Sequence, residues 1–337
     1  MIWINNVKVL AIFTVITLHI ASGVVRELEL ASSFEWWTAN IITSLTRWCV
    51  PVFVMLSGAL LLESSKTEPL KEFYKKRASK ILVPLIFWTL FFLLWRCSAI
   101  ILNGGEISLS RIIKMLVFGK PYYHMWFIYM ITCLYLMTPF FRKIFAQSSN
   151  RELWFITSIL FIFSIASNAH TIFFGENKLL FIEKFLLYVP YFFIGHMICR
   201  YNYSAYRIFI YSVFVISVVI TSLGYYYFAA NAQRDFGLYF YGYLSVSVVP
   251  MSIAIFILMK DSRIIQKHHD KITPIAVNTL GIYLIHPLFI ELLGFFDIFA
   301  IQHNPIFSIP VTSVLVFGLA LFSVRRLVNL PYLKHIV

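Results

Sequence analysis

The sequence predicts an all-α polytopic membrane protein of about ten transmembrane helices, with the N- and C-termini cytoplasmic. Composition is the first reason: 60% of the 337 residues are hydrophobic and 13% are charged, with a mean hydropathy of +0.80. Soluble domains average about 45–50% apolar and about 25% charged residues. Secondly, apolar runs of about 20 residues recur from one end to the other, the length a helix needs to cross hydrocarbon. The third reason is the alternation of loop cations. With the N-terminus inside, the inner connections and final segment hold 18 Lys and Arg, from Lys66 to Lys334. The outer loops then hold six, Arg26, Arg111, Lys114, Lys120, Lys178 and Arg234. Inner loops carry such an excess, and inverting the chain would reverse it. That distribution accounts for the net charge of +13 without a nucleic-acid partner. The spans leave no room for a separate soluble domain, so 1–337 is expected to be one domain. Lys8 interrupts the first apolar run and no cleavage site follows it, so the first helix is expected to be retained.

The spans are expected at 7–25, 36–62, 79–101, 122–141, 152–168, 179–199, 205–229, 237–259, 274–296 and 308–324. The first carries Lys8 near its start and His19 well inside, eleven residues apart. At about 100° and 1.5 Å per residue, the two side chains lie within about 20° of one face and about 16 Å apart along the axis. Ionisable residues at membrane depth are costly and mark functional sites by default. Span two brings Arg47 close to the bilayer centre, either to bond nearby carbonyls or to serve a site. Pro51 should kink this helix, and Ser57-Gly58 permits a close helix approach. The densest basic cluster, Lys71 to Lys80, precedes span three. Positive-inside bias explains part of it, and a polyanionic headgroup, of lipid or nucleotide, would suit the rest. Arg96 near a helix end can snorkel, and Lys184 can pair with Glu183 or snorkel in the same way.

Span four opens with Tyr122-Tyr123-His124-Met125-Trp126-Phe127 at the outer face. An aromatic belt accounts for the tyrosines and Trp126, while His124 among aromatic faces would also suit a sugar. Spans five to eight offer Glu183, His196 and Tyr225-Tyr226-Tyr227 with no evident role. The last five spans are no second copy of the first five, the repeat that many transporters show. Span nine carries Gly281-Ile282-Tyr283-Leu284-Ile285-His286, and His286 is twelve residues in, as His19 is from Val7. The two histidines should therefore share a depth to within a turn of about 5.4 Å. A structural hydrogen bond across helices is the alternative use for His286.

Several chemistries are excluded by what is missing. HExxH, GxSxG and P-loop patterns do not occur. Cys49, Cys97, Cys133 and Cys199 lie in apolar runs without a CxxC pair, and His268-His269 has no cysteine nearby, so no metal is expected. What remains is a path of His19, Lys8, Arg47, a basic inner loop and outer aromatics. A neutral imidazole can take a proton from a hydroxyl, a mid-depth cation can stabilise an oxyanion, and inner cations can hold the phosphates of an acyl donor. These parts suit acyl transfer. A transporter or exporter of lipid-linked glycans is the competing class, and a scaffold for polysaccharide assembly a third.

Taken in order, these landmarks resemble the membrane-bound acyltransferase 3 family over nearly the whole chain. They are Lys8…His19, Arg47-Pro51-Ser57-Gly58, the basic stretch before span three, His124-Met125-Trp126-Phe127 and Gly281 to His286. The likeness is greatest to surface-polysaccharide O-acetyltransferases of the type acting on enterobacterial common antigen. The resemblance implies an integral O-acetyltransferase of a bacterial inner membrane. It would use acetyl-CoA, or another acyl-CoA, to modify a sugar hydroxyl of an envelope glycan or its lipid-linked precursor. It implies His19 as the catalytic histidine and Lys8 as the motif's cation, with Arg47 joining them. Lys76, Arg77 and Lys80 would hold CoA, and His124, Trp126, Tyr283 and His286 would meet the acceptor. Two departures stand out. Relatives often have an acid at Asn5 and arginine at Lys8, and lysine lacks the bidentate fork. The family's RxxR appears here as Arg77-Ala78-Ser79-Lys80.

Overall fold

The computed structural model describes residues 2–27, 33–63, 68–175, 179–262, 265, 269–296 and 304–337. All regular structure among them is helical. Of the loop groups named above, Lys66, Lys178, Arg263, Lys267 and His268 lie outside the described residues, as do the side chains of His269 and Lys271. The helices are α1 (Ile2–Glu27), α2 (Phe34–Thr46), α3 (Cys49–Leu61), α4 (Leu70–Arg77), α5 (Val83–Leu102), α6 (Leu109–Val117), α7 (Trp126–Gln147) and α8 (Asn150–Phe173). They continue with α9 (Phe181–Lys184), α10 (Val189–Ile198), α11 (Arg207–Ala230), α12 (Arg234–Tyr241), α13 (Val248–Lys260), α14 (His269–Ala276), α15 (Thr279–Phe295) and α16 (Pro305–Val328).

Eight helical segments among the described residues are long and apolar enough to cross a membrane. Two further apolar helices, Val248–Lys260 and Thr279–Phe295, are shorter. The surface agrees with hydrocarbon as solvent. Leu94, Phe155, Phe163, Ile208 and Phe307 stand exposed on the outer faces of α5, α8, α11 and α16. In water such faces would mark an interface; in lipid they are ordinary. Hydroxyl groups in α1 bond within the helix, Thr14 to Leu10, Thr17 to Phe13 and Ser22 to Leu18 carbonyls. That leaves these three hydroxyls satisfied without water.

At the centre, α1 packs against α2, α3, α13, α14, α15 and α16. Three expected spans are interrupted rather than continuous. Span two breaks at Arg47–Trp48, between α2 and α3. Pro51 has no N–H for the Arg47 carbonyl four residues back, and its ring crowds that carbonyl. The expected span 237–259 breaks across 242–247. Gly242 leaves α12 in an extended conformation, and buried side chains then take over the backbone's hydrogen bonds. Val248 N–H donates to Ser245 Oγ at 3.1 Å, Val246 N–H to the Tyr239 hydroxyl at 3.2 Å, and Tyr191 donates to the Tyr243 carbonyl at 2.7 Å. Irregular backbone at membrane depth survives only when buried in protein or lining a cavity. The span at 274–296 breaks at Val277–Asn278, where Asn278 Nδ2 donates to the Pro274 carbonyl at 2.9 Å.

Two further expectations meet the structure differently. Ser57-Gly58 was expected to permit close packing, and a Cβ on Gly58 would fall on the Phe192 carbonyl of α10, while one on Gly195 would fall on the Met55 backbone of α3. The two helices therefore touch backbone to backbone. Lys184 and Glu183 form no ion pair among the described residues. Glu183 instead accepts from Leu180 N–H at 2.9 Å, and Lys184 Nζ lies 5.0 Å from the Trp126 ring centroid.

Candidate active site

α1 is one unbroken helix, so Lys8 and His19 keep the one-face, two-level relation that their spacing requires. Each end of that face meets a different environment. Around His19 the molecule gathers a histidine cluster from α1, the segment before α7, and α15. The His19 and His286 rings stack, with centroids 5.4 Å apart and planes 28° apart. His124 meets His286 edge-on at 5.5 Å, and Tyr123 meets His19 edge-on at 5.0 Å. His124 and His286 are fully buried, whereas Tyr123 is 44% exposed and marks where the cluster is reached from outside.

Hydrogen bonds fix the orientation of this cluster. His286 Nδ1 lies 2.7 Å from the Tyr283 carbonyl, one turn earlier on α15. A carbonyl can only accept, so Nδ1 carries the proton and, in the neutral ring, Nε2 is left with a free lone pair. That buried Nε2 has no hydrogen-bond partner. The Tyr283 hydroxyl donates to the His124 carbonyl, which ties α15 to the start of α7. Position i to i+3 on α15 thus links Tyr283 to His286.

Arg47 arrives from the break between α2 and α3. Its guanidinium carbon lies 4.1 Å from the centroid of the Tyr241 ring, and it also reaches the Tyr243 hydroxyl. Tyr241 stacks on Tyr225 at 4.0 Å, and Tyr225 on Trp36 at 6.0 Å. The Tyr241 hydroxyl donates to Asn40 Oδ1 at 2.6 Å, and Asn40 Nδ2 donates to the Ser222 carbonyl at 3.1 Å. Arg47 is close enough to act electrostatically on His19. Two interrupted helices therefore deliver a cation and its aromatic support to the histidine level.

At the Lys8 end lies a cavity of about 700 Å³. Lys8, Arg77, Lys80 and Lys334 line it, with His335, and no Asp or Glu side chain does among the described residues. The wall continues through Ser57, Tyr135, Phe53 and Phe127 to Tyr283. Ser57 Oγ donates to the Phe53 carbonyl and lies 2.9 Å from the Tyr135 hydroxyl, which is the donor of that second bond. Tyr283 belongs both to the cavity wall and to the hydrogen bonds of the histidine cluster. The cavity thus runs from a cationic end toward the chemistry-bearing level. Drug-sized and cofactor-sized ligands occupy cavities of about 300–1,000 Å³.

Of the residues singled out in the sequence, Lys8, Arg77, Lys80 and Tyr283 line this cavity, and His19, His124, His286 and Arg47 do not. The Tyr283 ring lies 5.3 Å from His124 and 5.9 Å from His286, which stacks on His19, while Arg47 sits against Tyr241 and Tyr243. Lys76 stands apart: it is exposed and forms an ion pair with Glu68. The Lys76 hydrogen bond holds the Glu68 carboxyl below its ordinary range. Between Lys76 and Lys80 the helix widens into a π-helical turn, Ala78–Leu82, which changes the face on which successive side chains emerge. Trp126 lies one ring away, stacked on Tyr243 at 5.7 Å. Tyr123, Tyr135, Tyr241, Tyr243 and Lys334 are additions that the sequence did not single out. His335 joins them. No cluster of His, Cys, Asp and Glu capable of holding a metal occurs among the described residues.

This geometry sets a cation-lined cavity at one end of the α1 face and a buried histidine cluster at the other. The family model described as an acyltransferase domain, acyltransferase 3, matches residues 1–325, and the chain belongs to that family. It is a multi-pass membrane acyltransferase. No curated protein and no solved structure matches the chain.

Proposed function

We propose that this acyltransferase is an O-acetyltransferase that moves an acetyl group from cytoplasmic acetyl-CoA to a sugar hydroxyl. The acceptor would be an envelope glycan of the enterobacterial-common-antigen type or its lipid-linked precursor, at a bacterial inner membrane. The observation that carries this reading is the cavity lined by four cations and, among the described residues, no Asp or Glu side chain, which reaches Tyr283, 5.9 Å from the His286 ring that stacks on His19. Phosphates of CoA would lie between Lys8, Arg77 and Lys80, and the acyl-pantetheine arm would extend past Ser57 and Phe127 toward Tyr283. The acceptor would approach from the exposed Tyr123, with His124 near it.

In the reaction, His19 takes the proton of the acceptor hydroxyl as its oxygen attacks the thioester carbonyl. Arg47 is near enough to balance the negative charge that develops on the carbonyl oxygen. Collapse of that intermediate forms the ester, breaks the carbon–sulfur bond, and returns the proton from His19 to the departing thiolate. The stacked His286 holds the His19 ring at one angle, since its own orientation is fixed through Nδ1.

The test is incorporation of label from radioactive acetyl-CoA into glycan by membranes containing the full chain. His19→Ala should abolish incorporation while the protein remains at wild-type abundance in the membrane. Retained transfer in His19→Ala would overturn the role of His19. Absence of transfer by the wild type with the acceptor present, together with export of the glycan, would favour the transporter class.

A further inference from the structure

We infer that the segment following α16, residues 331–337, is a working wall of the acyl-donor cavity, with Lys334 as a ligand for the donor's phosphate groups. This inference rests on the donor-cavity reading above and adds a residue beyond the stretch that the family model matches, which ends at 325.

Three contacts return this segment to the helix bundle. After Asn329 caps α16, a 3-10 turn over Leu333–His335 redirects the chain, with Lys334 N–H donating to the Leu330 carbonyl at 3.1 Å. The indole N–H of Trp88, a buried residue of α5, donates to the Ile336 carbonyl at 2.7 Å. Val337 then packs where Gly281 of α15 has no side chain, and a Cβ there would meet Val337 and Val324. Ile336 is buried, while Lys334 and His335 on the same turn are exposed into the cavity that they line. The buried neighbour acts as the anchor that sets the direction of the cation.

The charge pattern gives this placement its meaning. Lys334 joins Lys8, Arg77 and Lys80 around one cavity, and Lys8 and Lys80 already repel one another there. Like charges converging where no Asp or Glu side chain lies among the described lining residues are stabilised by a ligand carrying several negative charges. A donor with a 3′-phosphate and a diphosphate presents two separated anionic groups, more than the α4 end and α1 face from one side. Lys334 approaches from the 3-10 turn after α16, a different element, and so can clamp the ligand against Arg77 and Lys80.

The experiment measures binding of coenzyme A itself, and of pantetheine as the nucleotide-free control, to the purified full chain by equilibrium titration. Lys334→Gln should weaken coenzyme A binding roughly fivefold and Lys334→Glu more strongly, the scale of a lost charge-assisted contact in a half-open site. Pantetheine binding should not change in either. Lys143→Glu, at an exposed position that does not line the cavity, controls for loss of general positive charge. Trp88→Phe removes the hydrogen bond to Ile336 together with part of the indole's packing, and should weaken coenzyme A binding in the same direction. Unchanged coenzyme A affinity in both Lys334 variants, with weakened affinity in Lys80→Gln, would overturn this inference and leave the donor-cavity reading standing. No coenzyme A binding by the wild type would overturn the donor-cavity reading itself.

Discussion

Arg47 shows how much a single side chain at membrane depth depends on its neighbours. A guanidinium there needs a partner that holds it without neutralising it, and a ring face does this where a carboxylate would not. The Tyr241 ring supplies that face, 4.1 Å from the guanidinium carbon, and its hydroxyl is anchored on Asn40. Tyr241 is therefore a positioning residue acting through Arg47. A desolvated cation–π contact contributes about 2 kcal/mol, so Tyr241→Leu should lower kcat by roughly tenfold or more, with the KM for acetyl-CoA nearly unchanged. Tyr241→Phe keeps the ring and should retain most of the rate. A general loss of folding would instead lower protein abundance in both variants, and equal losses of kcat would sink the positioning role. At this scale the sequence was legible where chemistry and spacing coincide, as at Lys8, His19 and His286. Tyr241 was illegible because tyrosine is ordinary in a membrane span, and only the break after it turns its ring toward Arg47.

Helix interruptions do for the elements what charge does for the residues. Pro51 could be read directly, because a missing N–H must free a carbonyl four residues earlier, and that carbonyl is Arg47's. The break at 242–247 could not, since its remedy is the Ser245 hydroxyl within the break together with tyrosine hydroxyls from α10 and α12. The close approach of α3 and α10 was half legible. Ser57-Gly58 pointed to small-residue packing, but its partner Gly195 lies on a helix 137 positions away in sequence. Gly58→Ala would set a methyl group on the Phe192 carbonyl, a backbone atom that cannot rotate aside. Overpacking of this kind costs about 1–3 kcal/mol where side chains can shift and more where backbone must move. Gly58→Ala should therefore lower the thermal midpoint of the detergent-solubilised protein by several degrees, while Ala59→Gly, next to it, should shift the midpoint much less. A stable Gly58→Ala protein would mean that the two helices separate more easily than their backbone contact implies.

For the whole molecule the question is which side supplies the donor. The bias of loop cations predicts that the α4 end faces inside, and the cavity is lined there by Arg77, Ser79 and Lys80. The membrane class was legible in the sequence, and so was the placing of Lys8 and His19 on one helix face, whereas the cavity required the packing of α1, α3, α7, α15 and the 331–337 segment. The direction is an expectation that labelling can test. Orientation can be read with a membrane-impermeant maleimide, on a background lacking Cys49, Cys97, Cys133 and Cys199. Lys80→Cys should react only when the reagent reaches the cytoplasmic face, and Arg111→Cys, on the exposed surface of α6, only from the opposite face. Coenzyme A should slow labelling of Lys80→Cys, because the thiol would lie under the phosphates, and leave Arg111→Cys unaffected. Labelling of Lys80→Cys from outside would reverse the topology and oblige the donor to arrive from the compartment that holds the glycan, where cytoplasmic acyl-CoA is not available.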